Sequence, residues 1–122
     1  MQIKYTKEHE WIKLEGNIAS IGITQHATEA LGTLVFVGLP EVGSEVSIGD
    51  SCGVVESAKS ASDVYSPITG KIIEVNTLIE DDPSIINNSE DGNAWICKIQ
   101  IINNNELDDY MSQEEYASFL QK

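Results

Sequence analysis

One lysine stands apart from the other polar residues of this chain. Lys59 lies in Val54-Val55-Glu56-Ser57-Ala58-Lys59-Ser60-Ala61-Ser62-Asp63-Val64, between two strand-like runs, and its near neighbours are serine or alanine. A hairpin tip of this composition presents a primary amine with almost no steric cover. Three chemistries are open to such an amine: an ordinary solvated cation, a lysine shaped for another enzyme to modify, or a Schiff-base nucleophile. The third needs a desolvating pocket that lowers the amine pKa. Small polar neighbours beside Glu56 and Asp63 favour the charged form instead.

Other chemistries find little support. Nothing resembles a nucleophile elbow, and His9 sits in a charged segment. Adjacent acids such as Asp81-Asp82 and Asp108-Asp109 read as a solvated face rather than a paired-carboxylate site. No glycine loop has the Walker or Rossmann spacing. Cys52 and Cys97 lie far apart with no CxxC, which predicts reduced, structural thiols. Only His9 and His26 could complete a zinc site, at unrelated spacings, so no metal is expected. Both histidines read as structural hydrogen-bonding residues, and Trp11 and Trp95 as packing residues.

The charge balance narrows the partners. All 7 basic residues are lysine, against 20 acids in 122 residues, for a net charge of −13. A groove that neutralises phosphates needs clustered cations, so nucleic acid is excluded as a partner, and an anionic membrane surface is disfavoured. No run approaches the ~18 apolar residues of a membrane-spanning helix. Met1-Gln2-Ile3-Lys4-Tyr5 has neither a signal core nor a transit pattern, which predicts a cytoplasmic protein. The strong negative charge argues for a monomer.

The elements that must position Lys59 are mostly short strands. Ile18–Ile23, Leu34–Val37, Glu45–Ile48, Cys52–Val55, Val64–Ile68, Lys71–Val75 and Trp95–Ile99 carry the apolar alternation or β-rich composition of strands, punctuated by glycine turns. Regular spacing of this kind predicts a sandwich or barrel. Helices are peripheral. Thr24 caps a two-turn piece through Leu31 with Gly32 at its end, and Pro83 opens another before Ser84-Ile85-Ile86. Ser112-Gln113-Glu114-Glu115 is a capping box for a last helix over about 112–121, with Tyr116, Phe119 and Leu120 on one face. The asparagine run 103–105 reads as the linker before it.

Five blocks, in order, resemble one family. They are Tyr5-Thr6-Lys7-Glu8-His9-Glu10-Trp11; Ile21 to Ala27 continuing to Leu31-Gly32; Val35 to Gly43; Val55-Glu56-Ser57-Ala58-Lys59 with Ser62 to Gly70; and Glu74-Val75-Asn76 with Pro83, Asn87 and Trp95. The chain is similar over nearly its whole length to the H proteins of the glycine cleavage system. The resemblance implies a mainly β, barrel-sandwich hybrid fold of the lipoyl/biotinyl-carrier type, with short peripheral helices and a C-terminal helix. It also implies a single carrier domain over 1–122, whose lipoyl hairpin spans about 51–70.

By that resemblance Lys59 is amide-linked to lipoic acid, with Glu56, Ser57 and Asp63 recognised by the lipoate-attaching enzymes. The family shuttles the aminomethyl group of glycine. A pyridoxal-phosphate glycine decarboxylase loads it, a folate-dependent aminomethyltransferase unloads it, and a dihydrolipoyl dehydrogenase reoxidises the dithiol. The carrier itself is not an enzyme. Glu10 is the position the family nominates to hold the loaded amine, with Glu8 and Asp63 as weaker candidates among the acidic surface groups. A relay passing lipoate to other carrier domains is the alternative use. A biotin carrier would set methionine beside its lysine, unlike Ala58-Lys59-Ser60. The chain departs from the family pattern at Ala58, Ser60, Gly38, Thr33 and Ala30, and in the segment 88–93.

Overall fold

A computed structural model describes residues 2–88 and 94–121. Most of the 88–93 departure therefore lies outside the described residues. The strands are β1 (Gln2–Tyr5), β2 (Glu10–Glu15), β3 (Ile18–Ile23), β4 (Leu34–Gly38), β5 (Glu45–Val46), β6 (Ser51–Ser57), β7 (Ala61–Tyr65), β8 (Gly70–Val75) and β9 (Cys97–Ile101). They form a six-stranded sheet in the order β1-β2-β3-β9-β8-β5 and a three-stranded sheet in the order β4-β6-β7. Every pairing is antiparallel.

Alternation decides which side chains meet between the sheets. Ile12, Ile21, Ile72 and Ile99 from the larger sheet and Val37, Val55 and Val64 from the smaller are all nearly inaccessible and belong to one cluster. At roughly 25 cal/mol per Å², burial of such β-branched side chains is the main stabilising term. Cys52 and Cys97 are free and fully buried within that cluster. The neighbouring Cys97 thiol and burial push the Cys52 pKa far up, so neither chemistry nor exposure favours a thiolate there.

The helices are α1 (Gln25–Leu31), α2 (Thr77–Asp81), α3 (Ser84–Asn88) and α4 (Gln113–Leu120). The Thr24 hydroxyl caps α1 and Gly32 ends it at φ +90°, as the sequence predicts. The Ser112–Glu115 capping box forms in full. On α4, Tyr116 is buried and stacks on Tyr5 at 4.7 Å, while Leu120 stays exposed.

Several boundaries move. β1 and β2, on either side of the charged segment at His9, are strands to which the sequence periodicity assigned no element. The expected strand 45–48 stops at Val46, because an Asp50 carboxylate oxygen takes the Ser47 N–H at 2.8 Å and closes a turn. The strand expected over 64–68 runs over 61–65 instead, since beyond Tyr65 the Ser66 hydroxyl bonds the Ile68 carbonyl across Pro67. The last strand lies at 97–101 rather than 95–99. The asparagine run is not a bare linker: the Asn103 side chain accepts the Asn105 N–H and starts a 3-10 turn that buries Leu107.

Candidate functional site

β6 and β7 form a hairpin whose tip is Ala58-Lys59-Ser60, all exposed. Ser57 holds the tip from inside. Its hydroxyl accepts the Lys59 N–H at 3.3 Å and the Ser60 N–H at 3.2 Å, and its own N–H donates to the Ser60 carbonyl at 2.8 Å. A serine that bonds the backbone two and three residues on is a standard way to stiffen a turn. Among the described residues the one ion pair is Lys98–Glu74, and no described carboxylate lies at salt-bridge distance from the Lys59 ammonium.

The stem of Lys59 runs beside the end of α1. Its Cε lies 3.3 Å from the point where a Cβ on Gly32 would stand. Asn87 secures that turn: its amide donates to the Gly32 carbonyl and its carbonyl oxygen accepts the Leu34 N–H, both at 2.9 Å. Sequence reasoning did not give Asn87 this task. A residue 53 positions from its partner carries no local signal of it.

Glu56 and Asp63 flank the tip on the outer face of the hairpin, and Asp63 accepts a bond from the Ser51 hydroxyl at 3.2 Å. Glu8 is exposed. Glu10 is placed differently from the surface carboxylate expected: only 5% of it is accessible. One carboxylate oxygen accepts the Thr6 hydroxyl at 3.0 Å, and the other accepts the Tyr65 N–H at 3.2 Å. Burial raises its pKa, against the Thr6 and Tyr65 bonds, which lower it. The signal was available, because Glu10, Ile12 and Leu14 occupy alternate positions of one strand and share its inner face.

His9, at φ +69°, turns its ring toward α4, where Nδ1 lies 2.7 Å from the Tyr116 hydroxyl. That hydroxyl also reaches the Thr24 hydroxyl at 2.8 Å. Tyr116 therefore joins the segment bearing Glu10 to the cap of α1. Burial and the nearby His26 ring, at 4.4 Å, lower the His9 pKa against the opposing charge of Glu8. His9 is thus a hydrogen-bonding structural residue, as expected. Trp11 and Trp95 are half-buried; Trp11 lies over Gly22 of β3 and Trp95 lies 4.8 Å from the Lys98 ammonium.

A groove of about 540 Å³ is bordered by Tyr5, Trp11, His26, Tyr116 and Leu120, and shares Asn87 with the turn beside the Lys59 stem. None of the expected site residues lines it. Among the described residues no group of three or more His, Cys, Asp or Glu side chains could hold a metal, and no helix is long and apolar enough to cross a membrane. What the hairpin offers is an exposed lysine on a stiff support, its amine end lying beside Gly32.

The sequence model of the family described as Glycine cleavage H-protein matches residues 3–122. A glycine cleavage system H protein of Carboxydothermus hydrogenoformans is 49% identical over 120 residues, 98% of this chain and 92% of that protein. One of Thermoanaerobacter sp. strain X514 is 52% identical over 116 residues, 95% and 91% of the two chains. The crystal structure of a glycine cleavage system H protein from Mycobacterium marinum superposes with a TM-score of 0.88 at 42% identity, covering 99% of this chain and 98% of that one. The two sheets, the short helices and the C-terminal helix are the barrel-sandwich architecture of that neighbour. The chain belongs to the glycine cleavage H-protein family.

Proposed function

We propose that this chain is the lipoyl-bearing carrier of the glycine cleavage system, with Lys59 as the attachment point. The observation that carries the reading is the exposed Lys59 amine on a serine-stapled hairpin tip, in a chain of this family. The residues present fit a lipoyl amide: the tip holds only small side chains, and the Gly32 face beside the lysine stem is bare. Bound there, lipoate supplies a dithiolane whose opening accepts the aminomethyl group of glycine. Amide formation removes one lysine charge and moves the net charge from −13 to −14.

The chain's own residues then bind and orient. Ser57 fixes the direction in which the tip projects, so the attachment point keeps one geometry for every partner. Glu56, Ser57 and Asp63 are the recognition surface for a lipoate-attaching enzyme. Glu10 and, more weakly, Glu8 and Asp63 supply carboxylates for the cationic amine of the loaded carrier. The partners are a pyridoxal-phosphate glycine decarboxylase, a folate-dependent aminomethyltransferase and a dihydrolipoyl dehydrogenase; the carrier is their shared substrate and catalyses nothing.

Intact-mass analysis after incubation with lipoate and an attaching enzyme tests the first step. One lipoyl increment mapping to Lys59 and absent from Lys59→Arg is expected; no increment overturns the proposal. With purified partners and labelled glycine, label then appears on the carrier. Transfer of lipoate to another domain without glycine turnover supports the relay instead. For the loaded carrier, Glu10→Gln releases the aminomethyl group faster than wild type, and equal release rates would remove Glu10 from the scheme.

A further inference from the structure

The outer face of the three-stranded sheet carries an apolar patch continuous with the Lys59 hairpin. Along β4 the ladder steps from Leu34 opposite Ser57 to Phe36 opposite Glu56, so two residues of β4 face one of β6. This bulge at Val35 breaks the inward–outward alternation, and both Val35 (62% accessible) and Phe36 (50%) stand in solvent. Bulges that re-aim side chains concentrate near functional sites. On this face one rung reads Phe36, Glu56, Ala61 and the next rung but one, which shares the face, reads Gly38, Val54, Asp63.

The exposed Phe36 ring lies over Gly38 of its own strand. A ring carbon lies 3.4 Å from the point where a Cβ on Gly38 would stand, and the Val54 Cβ lies 3.7 Å from that point. The glycine makes room for the ring to lie along the sheet instead of extending freely. An aromatic side chain has few rotatable bonds, so it loses little conformational entropy on docking.

We infer that Val35 and Phe36, rimmed by Glu56 and Asp63, are the surface on which the enzyme that acylates Lys59 docks. The inference rests on the lipoyl-carrier reading above and deepens it. The choice of partner follows from reach. The neutral Lys59 Nζ must form a C–N bond to the carboxyl carbon of an activated lipoyl anhydride. The C–O bond to the activating group breaks with its electron pair, and one amine proton passes to solvent. Reacting atoms must approach to about 3–3.5 Å, so that enzyme has to close around the bare tip. The Phe36–Glu56 rung lies within its footprint, three residues from the lysine along β6. Partners that act at the far end of a long amide-linked arm need not approach so near.

Charge fits the same occupant. The exposed apolar pair is bordered by two carboxylates on a chain of net charge −13, so the complementary surface is an apolar pocket edged by cations. Such rim charges set the association rate and its salt dependence, while a buried aromatic supplies affinity.

The test uses the full unlipoylated chain as substrate for a purified ATP-dependent lipoate-attaching enzyme, with initial rates measured against carrier concentration. Phe36→Ser and the Val35→Ser/Phe36→Ser pair are expected to raise the carrier KM about tenfold or more with kcat unchanged, and melting and circular dichroism verify that the fold is retained. Added salt is expected to raise the wild-type KM. Binding provides a readout without turnover: Phe36→Ser in a Lys59→Ala chain, which cannot be acylated, weakens its affinity for the enzyme by a similar factor. Wild-type acylation with a variant KM within twofold of wild type overturns the inference and leaves the carrier reading standing. Failure of wild type to be acylated at Lys59 overturns both. Sedimentation showing that wild type dimerises through this patch, with Phe36→Ser monomeric, assigns the surface to a second copy and likewise overturns it.

Discussion

The carboxylate of Glu10 accepts the backbone N–H of Tyr65 at 3.2 Å, tying the start of β2 to the end of the strand that carries the Lys59 hairpin. Fifty-five positions separate the two residues, and the bond lies at the junction of the two sheets. Glu10 thereby has a structural task in addition to any electrostatic one. Glu10→Ala leaves the Tyr65 N–H and the Thr6 hydroxyl without their acceptor and is expected to cost about 1–3 kcal/mol, measured by urea unfolding.

The same residue predicts a pH dependence. Burial raises the folded-state pKa of Glu10 above its ordinary value. The native state therefore holds this proton to higher pH than the unfolded state does. Its contribution is fully present below the ordinary carboxylate pKa and is lost as pH rises through the raised one. Glu10→Gln keeps the shape and removes the titration. Unfolding free energies followed upward from about pH 4 should fall less with pH in Glu10→Gln than in wild type.

Asn87 holds both sides of the turn beside the Lys59 stem. Asn87→Ala removes two bonds at once and leaves the Leu34 N–H and the Gly32 carbonyl unsatisfied. A loss of about 2–4 kcal/mol is expected, taking roughly 1–2 per bond. Amide exchange at Leu34 should accelerate beyond what the global loss of stability explains.

Tyr116→Phe deletes the hydroxyl shared by His9 and Thr24. About 1–2 kcal/mol of stability should go with it, while the ring's stacking on Tyr5 persists. In wild type the His9 titration, followed by NMR, has its midpoint below the usual histidine value because burial and His26 both oppose the charge.

Gly22 sits opposite Trp11 in the β2–β3 pair. A Cβ there would run into the Trp11 indole, so Gly22→Ala must displace the ring. Overpacking of this kind costs typically 1–3 kcal/mol. A shift in indole fluorescence relative to wild type, checked in a Trp95→Phe background, locates the change at Trp11.

Much of this was legible in the chain because it depends on neighbours in sequence. The caps at Thr24 and Ser112 are set by bonds reaching three residues on, and both form where the sequence places them. The Ser57-to-Ser60 turn that exposes Lys59 is equally local. Strand ends were less legible: Asp50 stops β5 and Ser66 redirects the chain after β7 through side-chain bonds that compete with the ladder.

By itself, then, the sequence determined that an uncovered lysine stands between two strands of a small acidic β domain. Periodicity, turn chemistry and charge are short-range properties, and they need no knowledge of which strands become neighbours. The tertiary structure alone decided which distant residues meet. It brought Asn87 to Gly32, Tyr116 to His9 and Glu10 to Tyr65 across separations of 55, 107 and 55 positions. Those meetings follow from how the two sheets close on one core. Strand order and register, including the extra residue at Val35 that turns Phe36 outward, are settled only when the apolar faces pack together.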